Sequence, residues 1–351
     1  MLERIPDRVM ARLDELYAIG GGRGANRPGY SPAEDAAHEL VAGWMEQSGL
    51  EVERDAAGNL IGRLRGHRPE LPEVWAGSHL DSVPEGGRFD GALGVVAALE
   101  AVERVGCRER TLGVVAFRAE ETGCQGSRAR CRERLGTPGA FLEVHVEQGP
   151  RLALADVPVG VVTGIVGYVR GQVVVEGTPG HAGTTPMDAR DDALCRAAEA
   201  VLRIRDAARA VDEAVATVGQ VEVEPGAVNV IPARVTLSVD ARAPDRERLD
   251  ELVRGLGFEP SLRVEPVAMD EALRGVLREE AERLGIAPVE LSSGAGHDAG
   301  ILAAAGIPSG MLFVRSLAGG ISHAPEEEST EDDVDIAVEV LAGALARLAS
   351  A

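Results

Sequence analysis

Five of the seven histidines sit in company suited to chemistry: His79 in GSHLDS, His145 in EVHVEQG, His181 in GTPGHAGTTP, His297 in GAGHDAG and His323 in GISHAPEEES. Glycines, acids or both flank each one. His38, within a helical pattern, and His67, in a polar loop, read as surface residues. His79 and Asp81 are two apart in an extended pattern, so they share a face. The Asp81 carboxylate can then accept from the far ring nitrogen and fix its tautomer, the arrangement found behind metal-bound imidazoles. Asp90 stands on a glycine loop before an apolar helix, placed either to cap that helix or to bridge two cations. Glu120 and Glu121 close an apolar strand, where one can bind metal while the other reaches the attacking water.

Taken together, His79, Asp90, Glu121, His145 and His323 make a nitrogen and oxygen ligand set without a thiolate. Imidazole plus carboxylate suits zinc first, with manganese and cobalt as further fits. Two divalent ions about 3.5–4 Å apart that share one carboxylate are a common hydrolytic arrangement. Three histidines and two acids give each ion two protein ligands of its own besides a shared Asp90.

These residues need elements that hold them. Residues 6–19 and 31–48 read as helices, the second opening on Ser31-Pro32-Ala33-Glu34 with a capping serine and a first-turn proline. GNLIGRLRG (58–66), EVWAGSH (73–79), the near-continuous apolar run TLGVVAFRAEE (111–121) and AFLEVHVEQG (140–149) read as strands, with an apolar helix at 91–106. Strands alternating with helices predict an α/β domain. Near residue 166 the texture changes to half-exposed strands at 166–177, 214–224, 229–242 and 261–266, separated by helices at 188–209 and 245–256. The order β-α-β-β-α-β predicts an inserted α+β unit. Helix-rich texture returns near 269, where His297-Asp298 starts a helix and 331–349 forms another. The expected organisation is a catalytic α/β domain at 1–165 plus 269–351, interrupted by a lid at 166–268.

Composition excludes several classes. With 351 residues and 45% apolar content the chain has material for two cores. A net charge of −21 argues against nucleic acid and anionic membrane as partners. No apolar run approaches the ~20 residues of a membrane span, and the charged N-terminus does not read as a secretory signal. Four cysteines without a C-x-x-C pair read as reduced thiols, so a cytoplasmic location is the expectation. There is no lysine, which removes Schiff-base, pyridoxal-phosphate and P-loop chemistry.

Seven stretches in order, GSHLDSVPEGGRFDG (77–91), AEE (119–121), HVEQG (145–149), GTPGHAGTTPMDAR (177–190), VNVIP (228–232), GAGHDA (294–299) and SHAPEE (322–327), resemble the amidase/carbamoylase branch of the M20 metallopeptidase family. That branch contains N-carbamoyl-L-amino-acid hydrolases, β-ureidopropionases and allantoate amidohydrolases. The resemblance implies metal ligands at His79, Asp90, Glu121, His145 and His323, with Asp90 bridging. It implies Glu120 as general base, Asp81 as the acid behind His79, and His181 polarising the scissile carbonyl, often across a dimer interface. Gln148, Asn229 and Arg242 match substrate-binding positions, and Gly296 is expected to let backbone approach the substrate. A zinc-peptidase type α/β domain with a ferredoxin-like dimerisation lid, and a small ureido acid as substrate, are implied too. A dipeptidase or N-acyl-amino-acid deacylase is the alternative enzyme, and a non-catalytic metal-binding homologue the alternative outside catalysis. In one place the chain departs from the family: TGCQGSRARCRERLGTPG (122–139) is short and lacks the arginine-phenylalanine that usually follows the glutamate pair.

Overall fold

The computed structural model describes residues 6–133 and 138–350; part of the short 122–139 segment therefore lies outside the described residues. In chain order the elements are α1 (Pro6–Ala18), α2 (Pro32–Gln47), β1 (Glu51–Arg54), β2 (Leu60–Leu64), β3 (Val74–His79), α3 (Ala92–Val105), β4 (Leu112–Phe117), α4 (Gln125–Glu133), β5 (Ala140–Val146), α5 (Arg151–Ala155) and β6 (Val159–Ile165). Then come β7 (Gly167–Glu176), α6 (Ala193–Arg209), β8 (Val215–Glu224), β9 (Arg234–Ala243), α7 (Arg246–Leu256) and β10 (Leu262–Val264). The chain closes with β11 (Val267–Ala268), α8 (Glu271–Arg283), β12 (Val289–Ser293), α9 (Asp298–Ala304), β13 (Ser309–Val314) and α10 (Glu331–Ser350). Two compact units result: residues up to Thr163 with Ala268 onward, and Gly164–Val267.

The first unit is built on a mixed sheet that runs β1-β2-β4-β3-β5-β13-β6. Its centre is parallel: β3 pairs β4 and β5, and β5 pairs β13, all in the same direction. These four strands are buried along their whole length, which is why their sequences are apolar without alternation. Helix α3 is apolar nearly all round because it packs on β3 and β5 on one side and α10 on the other. Each Val or Leu sealed there contributes about 1.5–3 kcal/mol. Its buried Glu100 is neutralised by Arg8 at 2.6 Å and Arg104 at 3.2 Å. Helix α2 opens as its cap predicts, with Ser31 Oγ accepting from Glu34 N–H at 3.3 Å. One expectation is corrected here: His38 is buried, 2% exposed, because α2 lies against β1 and β2.

The second unit is a four-stranded antiparallel sheet ordered β10-β7-β9-β8, with α6 and α7 packed on it. Fourth, first, third, second is the strand order of a ferredoxin-like β-α-β-β-α-β unit. Its core is small: Val169, Val239, Ala241, Leu249 and Leu252 on one patch, and Val175, Ala197, Val235 and Leu237 on another. Strand β8 terminates the sheet and is mostly exposed.

Candidate metal centre

Parallel strands bring their carboxyl ends to one edge, and that edge gathers the chemistry. His79 is the last residue of β3, and Glu120 and Glu121 follow the end of β4 by three and four residues. His145 is the penultimate residue of β5, and His323 lies in the segment after β13. Asp90 sits in the loop from β3 to α3. It does not cap α3: Gly91 is the cap residue, at φ +65. Gly91 also has to be glycine for space, since a Cβ there would stand 2.3 Å from the His79 ring.

Asp90 is shared by two groups of ligand atoms. Its Oδ1 lies 3.6 Å from His79 Nε2 and 3.2 Å from His145 Nε2. Its Oδ2 lies 3.3 Å from His323 Nε2, which is 3.4 Å from Glu121 Oε2. Both triads, His79-Asp90-His145 and Asp90-Glu121-His323, keep their ligand atoms within 4.8 Å of one another. Two ligands on one tetrahedral zinc, bonded at about 2.0–2.2 Å, stand about 3.3–3.5 Å apart. The observed separations, 3.2 to 3.6 Å, bracket that spacing.

The two strand imidazoles are turned for a cation. His79 Nδ1 faces the Asp81 carbonyl oxygen at 3.1 Å and the Asp81 carboxylate at 3.2 Å, and His145 Nδ1 faces the Val146 carbonyl at 2.9 Å. With those N–H groups donating backwards, the Nε2 lone pairs face Asp90. Buried His79 Nε2 and Glu121 Oε1 have no hydrogen-bond partner. Orphaned atoms of this kind, aimed into a cluster of carboxylates, fit divalent cations. Asp81 does more than brace His79: its carboxylate also accepts from Glu120 N–H at 3.0 Å and Glu121 N–H at 3.1 Å. One side chain thus fixes a histidine and both glutamates.

Electrostatics follow from burial against pairing. Burial pushes the Glu120 carboxyl up to about 7, with His79 opposing and Glu121 reinforcing that shift. Burial pulls His145 down, but the hydrogen bond and charge of Asp90 outweigh it and lift the imidazole to about 9. The Asp90 hydrogen bond also lifts His323 to about 9. Asp90 itself resists burial through His145 and His323 and is held well below the usual carboxylate range.

The other candidate residues divide. Gln148, at φ +57, donates from its amide to Asp90 Oδ2 at 3.0 Å, so it touches the cluster. At Gly296 a Cβ would meet nothing within 4 Å, so no neighbour requires a glycine. His297 stacks edge-on against His145 with centroids 4.5 Å apart, and burial holds it well below the usual imidazole range. Asp298 begins α9 but is fully buried and accepts from Ser127 at 2.6 Å. In the second unit His181 bridges Val230, and Ala182 N–H donates to Asn229 carbonyl at 3.0 Å, so His181 and Asn229 share one loop cluster. Arg242 is elsewhere: it pairs with Tyr168 on β7, and its guanidinium lies 2.8 Å from Asp240.

Several contributors escape a reading by residue type. Glu34 accepts from Ala119 N–H at 2.9 Å, just before the glutamate pair. Buried Arg27 donates to the Leu80 carbonyl at 2.7 Å. Glu327 accepts from Phe89 and Asp90 N–H. By residue type these are ordinary charges, and Glu327 closes the SHAPEE stretch (322–327) without a role of its own in the sequence reading.

Comparison with known proteins places the chain in a family. The sequence pattern of peptidase family M20/M25/M40 matches residues 75–347. The N-carbamoyl-L-amino acid amidohydrolase of Geobacillus stearothermophilus is 36% identical over 400 aligned positions, covering 95% of this chain and 96% of the relative. The allantoate amidohydrolase of Bacillus subtilis is 32% identical over 395 positions, covering 95% of each. A crystal structure of an amidase of the hydantoinase/carbamoylase family from Burkholderia multivorans superposes with a TM-score of 0.92 at 30% identity, covering 99% of this chain and 98% of that one. The chain belongs to the peptidase family M20/M25/M40.

Proposed function

We propose that this protein hydrolyses the C–N bond of an N-carbamoyl (ureido) group on an amino acid or related acid. The reaction consumes one water and yields the amine, ammonia and carbon dioxide. The observation that carries the reading is the pair of ligand triads sharing Asp90, with Glu120 Oε2 3.8 Å from His79 Nε2. The relatives named for N-carbamoyl amino acids and allantoate support the substrate class.

His79, Asp90 and His145 would hold one divalent ion, and Asp90, Glu121 and His323 a second; zinc fits first, manganese or cobalt next. When bound, such ions supply Lewis acidity to the carbonyl and to water. The chain's residues do the rest. Glu120, a buried carboxylate held near neutrality, takes the proton of the attacking water and returns it to the leaving nitrogen. Asp81 keeps His79 and the glutamate backbone in register. His181 Nδ1 accepts from Gly183 N–H at 3.0 Å, so its neutral ring carries the proton on Nε2 and can donate to a carbonyl oxygen. Gln148, Asn229 and Arg242 bind the substrate, Arg242 as the partner of its carboxylate.

The register within the second unit supports a homodimer. His181 and Asn229 lie beyond the end of β9 that begins at Arg234, whereas Arg242 is at its other end. Eight residues of strand span about 27 Å, further than a small ureido acid reaches. If all three touch one substrate, two copies supply them. The long terminal strand β8, with exposed Val215 and Val221, and the exposed Leu194 and Leu202 of α6 offer the surface for that pairing. Unpaired cysteines support a reducing, cytoplasmic setting. Among the described residues no helix is long and apolar enough to cross a membrane.

The deciding assay loads the protein with Zn²⁺, Mn²⁺ or Co²⁺ in turn. Ammonia is measured from N-carbamoyl-L-amino acids, β-ureidopropionate and allantoate, with dipeptides and N-acetyl amino acids run in parallel. Ammonia from at least one ureido acid is expected. Its absence from all of them, whatever turns over in the parallel panel, would sink the reading.

A further inference from the structure

We propose that Glu327 is a positioning residue that fixes the distance between the shared ligand Asp90 and the ligand His323, and so sets the affinity of the ion those two residues hold with Glu121. The inference rests on the paired-ion reading of the site. It concerns a residue that belongs to neither ligand triad.

The geometry is that of a clamp. Glu327 is 5% exposed. Its Oε1 accepts from the backbone N–H of Phe89 at 2.7 Å and of Asp90 at 3.0 Å. Its Oε2 accepts from Ser322 Oγ at 2.7 Å. One carboxylate thereby ties the loop carrying Asp90, 237 residues away in sequence, to the residue immediately before His323. The tie matters because no regular element positions His323. Its side chain is half exposed, its backbone is left-handed at φ +55, and it sits on no strand or helix. Two backbone amides and a hydroxyl converging on one buried carboxyl group leave it little freedom to shift, so the bonds transmit position. The facing residue has made room: a Cβ on Gly87 would stand 2.3 Å from the Glu327 carboxyl carbon. Any side chain at 87 therefore displaces the carboxylate. Residues behind the direct ligands of a metal usually tune its affinity by about 10–100-fold.

The test is equilibrium dialysis of the intact protein against Co²⁺, read as two stepwise dissociation constants, with folding followed by circular dichroism. His323→Ala marks the constant that belongs to the loop-held ion. Glu327→Ala should weaken that same constant about 10–100-fold and leave the other within about threefold. Glu327→Gln keeps the oxygen that receives both amides, and its NH2 can donate to Ser322 Oγ while that hydroxyl donates to Asp90 Oδ2, so it should stay within about threefold of wild type. Gly87→Ala, which moves the carboxylate without removing it, should copy Glu327→Ala. A merely structural residue would lower thermal stability without separating the two constants or being rescued by glutamine. The inference is overturned if Glu327→Ala leaves both constants unchanged or weakens them equally, or if glutamine is as damaging as alanine. Should Glu327→Ala not fold, Gly87→Ala decides, and a normal loop-held ion in that variant also overturns the inference. Wild type that takes up one ion only removes the inference with its premise. Two ions bound without ammonia release from any ureido acid would sink the proposed activity and leave the clamp standing.

Discussion

The two halves of the ligand cluster are held by different kinds of structure. His79 and His145 sit on adjacent central strands, each 1% exposed, with ring nitrogens braced by backbone carbonyls. Glu121 and His323 lie in segments that follow strands, and His323 is half exposed. A strand fixes a side chain through its ladder and the packing on both faces. A connecting segment must be tied down by individual polar contacts. Asp90 belongs to both halves, and its neighbours reflect this: strand histidines on Oδ1, His323, Gln148 and Ser322 on Oδ2. Precision in the first half comes from the sheet, and in the second from side chains such as Glu327.

The comparison breaks most completely at Asp90. Asp90→Ala removes the ligand common to both triads, so metal analysis should find neither ion retained after dialysis and ammonia release should stop. An ion bound at wild-type affinity in this variant would mean that the halves are independent. Next in size is Glu120→Gln. It should lower kcat about 10²–10⁴-fold with both ions still bound, because it removes a proton carrier and no ligand. Loss of metal in that variant would make Glu120 a ligand instead.

The third test separates the halves directly. His145→Ala empties a buried position in the sheet, so it should lose the first ion and also lower the melting temperature of the ion-free protein. His323→Ala should lose the second ion and, above about pH 9 where its imidazole is neutral, leave that melting temperature within about 2 °C, since deletions at exposed positions have small effects. Equal destabilisation by both would refute the distinction between strand-held and loop-held ligands.

The same division explains what could be read from the sequence. Apolar runs at 74–79, 112–117 and 140–146 gave the central strands away, and histidines and acids at their ends stood out against them. The inserted unit was visible as alternating strands around amphipathic helices. Strands β1, β6 and β12 were not, because they are short or depend on pairing with distant neighbours rather than on a local pattern. His38 was misread because a lone polar residue on a helix gives no sign of the sheet that covers it. Glu327 and Glu34 were illegible for a related reason: a carboxylate that accepts backbone N–H groups from remote loops looks in sequence like any surface glutamate.

The smallest expected effect concerns protons, and it joins the halves again. In the ion-free protein His145 and His323 both titrate at about 9, raised by Asp90 above the usual imidazole value of 6.5. A raised imidazole contributes stability that is fully present below about pH 6.5 and is lost as pH climbs through about 9. The ion-free protein should therefore melt at progressively lower temperature between pH 6.5 and 9. Ions demand neutral imidazole, so their uptake near pH 7.5 must expel the protons that these residues carry. Calorimetric titration with Zn²⁺ in buffers of different ionisation enthalpy should report about two to three protons released per chain at pH 7.5, because, against burial, Glu120 and Asp81 also raise His79, and fewer as pH climbs through about 9. Because His145 serves the strand-held ion and His323 the loop-held one, each binding step should release its own share. His323→Ala should remove the share of the second step alone. Proton release that is absent at pH 7.5, or unchanged in that variant, would show that Asp90 does not hold both imidazoles charged, and the electrostatic link between the two halves would fail.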